Sequence, residues 1–229
     1  MPQPVRRFPR SGTDTPPVAL ARPRLRGQLH AIAAGLSVGA LVWLVRSAAS
    51  IEATVAAWIY GMAAVLCYLT SSTYHLLARS DRARVVLRRA DHSMIYVLIA
   101  GTLTPVCLLA MGGRGRWIML GMVWLAAFVG IALSAAPNPR LPRFSMALYL
   151  ILGWAGLAAV PALSHHPIRL ALTVIAGLLY TAGAMLFARQ RPTLRPNWFG
   201  YHEFWHSIGI AAGALLFVVN LSLIATRAS

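Results

Sequence analysis

Seven stretches of the chain contain no Asp, Glu, Lys or Arg. They cover residues 27–45, 53–78, 92–113, 117–139, 144–168, 170–188 and 204–226, and are 19 to 26 residues long. Apolar residues run continuously through them and lack the alternation, in segments of about ten residues, that marks a membrane barrel strand. A helix of about 20 apolar residues crosses the roughly 30 Å hydrocarbon core of a bilayer. The pattern therefore predicts an all-α membrane protein, a seven-transmembrane helix bundle. The connections are short, so consecutive helices are expected to be antiparallel neighbours. The organisation expected is a basic tail over residues 1–26, a helical domain over 27–226 and a short tail over 227–229. Pro105 falls inside the third run and is expected to kink it. Gly35 and Gly39, spaced as GxxxG on the first helix, offer a surface for close packing. No internal repeat is visible, which argues against a transporter built from inverted halves.

Composition agrees with this picture. The chain is 58% hydrophobic and only 11% charged, where a soluble domain carries about 25% charged residues. The net charge of +16 would suggest nucleic acid in a soluble protein. Here every basic residue is an arginine at a helix end or in a loop, so the charge reads as a topology signal and a contact with anionic headgroups. No nucleic-acid partner is expected. The arginine-rich, proline-rich residues 1–26 lack the apolar core of a signal peptide and are expected to form a disordered tail. Across alternate loops, sixteen arginines fall on the side of the N-terminus and five on the other. The positive-inside rule then places the N-terminus in the cytoplasm and the C-terminus outside. A multi-pass protein of a cell membrane, such as the bacterial inner membrane, is expected. Cys67 and Cys107 lie inside apolar runs and read as small core residues.

The same topology sorts the ionisable residues, which are costly in a membrane and mark function by default. The second helix ends on the cytoplasmic side near His75. The third begins there with Asp91 and His92. The seventh begins there with His202, Glu203 and His206, and the first with His30. His202 and His206 are four residues apart and share a helical face, a spacing that lets two imidazoles bind one metal ion. Ser71 stands one turn before His75. Three imidazoles and a water complete a tetrahedral Zn²⁺ site with one open position, beside which Asp91 can hold or deprotonate that water. His165 and His166 fall in a loop on the other side and read as solvated.

The string His202-Glu203-Phe204-Trp205-His206 also matches H-E-x-x-H, where a glutamate serves zinc peptidases as general base. Those enzymes need a third ligand, often an acid downstream. Residues 207–229 contain no Asp, Glu, His or Cys, so the third ligand has to come from upstream, and His75 is the best candidate.

Three motifs carry a resemblance. They are Ser71-Ser72-Thr73-Tyr74-His75, the stretch from Asp91-His92-Ser93 to Thr104-Pro105, and the H-E-x-x-H string. In order and spacing, over roughly residues 25–226, the chain resembles the hemolysin III proteins of the progestin and adipoQ receptor superfamily, which is related to alkaline ceramidases. The resemblance implies zinc held by His75, His202 and His206, Asp91 beside the water at the metal, and Ser71 as an accessory hydroxyl. It further implies a zinc-dependent hydrolase of a lipid amide or ester bond. The first helix departs from the family pattern: it reads Leu29-His30-Ala31 where Thr-His-Gly is usual. The competing expectation is a non-catalytic, receptor-like sensor or regulator of membrane homeostasis, or a cytolytic or channel protein, with zinc in a structural role.

Overall fold

The computed structural model describes residues 23–136, 141–195 and 197–226, with side chains omitted over 141–146. Residues 1–22 of the expected tail and the whole of the expected tail 227–229 lie outside this set. Helices follow in the order α1 Gln28–Ser47, α2 Ile51–Leu77, α3 Asp81–Pro105, α4 Gly115–Ala135, α5 Leu141–Trp154, α6 Val160–Leu163, α7 Pro167–Ala188 and α8 Tyr201–Ile224. Among the described residues six helical stretches are long and apolar enough to span a membrane, and a shorter apolar helix accompanies them. With α5 and α6 counted as one pass, seven helical passes fit the chain, which is a multi-pass membrane protein. Large apolar side chains such as Ile32, Leu36, Ile51 and Leu125 stand out from the surface, as lipid-facing positions should.

Two passes differ from the sequence expectation. The third helix does not begin at Asp91; it begins ten residues earlier. Ser80 caps it by accepting a hydrogen bond from the Ala83 amide at 3.2 Å. The arginines of its first turns are good helix formers whose long stems keep their charges in water. Asp91 consequently lies well inside α3. The fifth pass is broken. A 3-10 segment, Ala155–Ala159, separates α5 from α6, and Pro161 at the start of α6 has no N–H to continue the ladder.

Pro105 does disturb its helix. A single π-helical stretch, Val106–Ala110, follows it directly, and the Met111 amide reaches back five residues to the Val106 carbonyl at 3.3 Å. Polar side chains support this segment, as they must in a membrane. The Asn220 amide donates to the Thr102 carbonyl at 3.2 Å, and the Trp124 indole donates to the Thr104 hydroxyl at 3.1 Å.

Close approach between helices is made by small residues, but not by the pair the sequence suggested. Gly35 and Gly39 have open space where a Cβ would stand. The tight contacts are at Gly61 against Leu41, Gly101 against Ala63, and Gly130 against the Tyr96 ring. Tyr96, Ala100 and Leu103 of α3 pack with Val123 and Ala127 of α4 and Leu152 of α5. Leu44, Ala53, Ala57, Tyr60 and Ile224 tie α1 and α2 to the last turn of α8. These contacts bring the end of α2 and the start of α8 to one end of the bundle, next to the start of α1.

Candidate metal centre

His75 sits on the last turn of α2, and His202 and His206 on the first two turns of α8. They meet. One ring nitrogen from each lies within 4.8 Å of the others, and the His75 and His202 Nε2 atoms are 3.0 Å apart. Two nitrogens bound to one tetrahedral zinc at about 2.0–2.1 Å stand roughly 3.3 Å apart, so this pair is close to the spacing a metal needs. A hydrogen bond between the rings would account for the pair but not for His206. That side chain is buried, and neither of its nitrogens has a hydrogen-bond partner. Buried polar atoms are rarely left so. Three converging imidazoles with an orphaned member fit a divalent ion, and an all-imidazole set suits zinc, copper, nickel or iron.

The other predicted residues fall around this group. Ser71 is buried one turn below His75, and its Oγ has no hydrogen bond of normal geometry. Its hydroxyl lies beside the Asp91 carboxyl, close enough for the two to interact. Asp91 is not part of the converging group. The described residues therefore offer three converging protein ligands, His75, His202 and His206. His30, on the first turn of α1, packs its ring against His206 with centroids 3.8 Å apart, and its Nδ1 is buried without a hydrogen-bond partner. The sequence placed His30 at the same end as His206 but offered no spacing that linked the two. The carbonyl of His92 accepts a hydrogen bond from the Tyr149 hydroxyl at 3.1 Å.

Glu203 is not free to act as a general base. It is completely buried, its Oε1 pairs with the Arg26 guanidinium, and its Oε2 accepts the Gly200 amide at 2.9 Å. The H-E-x-x-H string is thus two metal-ligand candidates with a helix-capping carboxylate between them. The Arg26 contact spans 177 residues, and no local pattern could have signalled it.

A profile of the family described as Haemolysin-III related matches residues 18–218. The chain belongs to this family. It is 30% identical over 205 residues to Hemolysin-3 of Bacillus cereus, covering 87% of this chain and 90% of that one. It is 32% identical over 193 residues to the Hemolysin-3 homolog of Bacillus subtilis (strain 168), covering 82% and 87%. More distant similarity reaches eukaryotes: the rice heptahelical transmembrane protein ADIPOR2 is 30% identical over 186 residues, covering 72% of this chain and 80% of that protein.

Proposed function

We propose that this haemolysin-III-related protein is a zinc-dependent hydrolase of an amide or ester bond in a membrane lipid, with its site at the cytoplasmic leaflet. The observation that carries the reading is the meeting of three imidazoles, two of them buried, beside an interacting Ser71–Asp91 pair. His75, His202 and His206 are the residues that hold the ion. A zinc ion there supplies Lewis acidity and brings the pKa of a water towards about 7. Asp91, outside the ligand set, takes the proton from the attacking water as general base and returns it to the leaving group. Ser71 gives a hydrogen bond from its hydroxyl, which keeps its proton, to the oxygen that gains charge as the carbonyl is attacked. The lipid enters from the side, between helices, because its scissile bond lies near the headgroup depth at which the histidines sit.

The test uses the full chain purified in detergent, as wild type, His202→Ala and Asp91→Asn. Bound metal and fatty acid released from a panel of N-acyl and O-acyl lipids are measured on each. The reading predicts that His202→Ala loses metal and turnover, while Asp91→Asn keeps metal and loses turnover. Metal without turnover on any lipid in wild type rejects the hydrolase and leaves a structural or sensing role for the ion.

A further inference from the structure

The residues just before α1 do more than lead into the first helix. Pro23–Gly27 form a turn laid across the start of α8. The Arg24 amide donates to the Asn197 carbonyl at 3.1 Å and the Leu25 amide to the Trp198 carbonyl at 3.3 Å. The Arg24 guanidinium rests 4.7 Å above the Trp198 ring. Sequence reading places Pro23–Arg26 in a disordered tail, yet here they are hydrogen-bonded to the loop before α8.

The turn touches two of the ligand-bearing elements. On one side Arg26 pairs with Glu203, the neighbour of His202 on α8. On the other, Gly27 is buried with its Cα against the end of α2. A Cβ at Gly27 would stand 2.7 Å from the Cβ of His75, and the residue has φ of 86°, a conformation that side-chain-bearing residues rarely adopt. The strap therefore joins His75 and His202 from outside the ligand set. A fully buried carboxylate that is not paired is costly, so Arg26 and the Gly200 amide leave Glu203 one place to sit, and with it the first turn of α8.

We infer that Arg26, Gly27 and Glu203 form a positioning bracket that sets the separation of His75 from His202 and His206, and so the affinity of the site for its metal. The inference rests on the metal reading of the three histidines and is independent of any hydrolase activity.

The experiment measures Zn²⁺ affinity of the purified full chain by chelator competition. It also records the visible absorption of Co²⁺ placed in the site, which reports ligand geometry. Partners that orient ligands typically change metal affinity by about 10- to 100-fold. That loss, with an altered Co²⁺ spectrum, is expected for R26Q and E203Q, and the double variant is expected to be no weaker than R26Q alone, because the two residues act as a unit. E203Q keeps the size of the side chain and an acceptor for the Gly200 amide, so it carries the test if R26Q does not fold. E52Q removes an ion pair at the far end of the bundle, between Glu52 and Arg116, and is expected to leave affinity and spectrum unchanged. Wild-type affinity and spectrum in both R26Q and E203Q would overturn the bracket, as would an equal loss in E52Q. A wild type that binds no metal fails the metal reading itself and takes the bracket with it.

Discussion

At the end of the bundle away from the converging histidines, several polar groups are matched within the chain. Arg169 donates to the Ser222 carbonyl at 3.2 Å and the Thr226 hydroxyl at 3.1 Å. Arg116 pairs with Glu52 at 3.2 Å. Deeper in, the Asn220 amide nitrogen donates to the Thr102 carbonyl, three residues before Pro105. At the histidine end, a buried nitrogen of His30 and both nitrogens of His206 have no hydrogen-bond partner, and they gather where three imidazoles converge. Polar groups in a membrane that are matched in place serve packing. Polar groups that converge unmatched are candidates for holding a ligand.

The sharpest way to break this contrast is to remove a converging group. His206→Ala is expected to reduce bound metal from about one ion per chain to background, since two imidazoles alone hold zinc poorly. Elemental analysis after dialysis measures it. Overpacking at a helix contact outside the ligand set comes next. Gly130→Leu drives a side chain into the Tyr96 ring, already 2.3 Å from where a Cβ would be, and is expected to cost about 1–3 kcal/mol or more. Thermal unfolding in detergent should register that loss while metal stoichiometry in the folded fraction stays at the wild-type value. Asn220→Ala deletes an interhelical hydrogen bond of a kind worth about 0.6–1.7 kcal/mol in membranes. A small drop in Tm with unchanged metal content is expected. Glu52→Gln should have the smallest effect, about 0–1 kcal/mol, because that pair is partly open to solvent, with the Glu52 side chain 42% exposed. A loss of metal in either of the last two would erase the distinction between the two ends.

Much of the site was legible because membrane topology is arithmetic. Alternating passes put the end of α2 and the start of α8 on one side, and the spacing of His202 and His206 supplied a shared face. The charge-free runs located passes well but misplaced helix starts. Arg82–Arg89 interrupt the apolar run before Asp91, yet they are good helix residues, so α3 continues through them. The broken fifth pass had a local signal in Pro161, which length and hydropathy alone do not weigh. Gly35 and Gly39 matched a packing motif that the first helix does not use within the described chain, whereas Gly61, Gly101 and Gly130 carry the close contacts without forming a motif. Long-range partners were invisible. The Arg26–Glu203 and Asn220–Thr102 contacts join residues 177 and 118 positions apart, and nothing in their neighbouring residues announces the pairing.

The central claim is that His75, His202 and His206 bind one metal ion. Anomalous diffraction from crystals of the protein, collected on either side of the zinc absorption edge, tests it most directly. The account predicts one edge-dependent peak among the three imidazoles, at bonding distance from a nitrogen of each. Well-ordered imidazoles with no such peak, and a proton shared between the His75 and His202 nitrogens in its place, would contradict it.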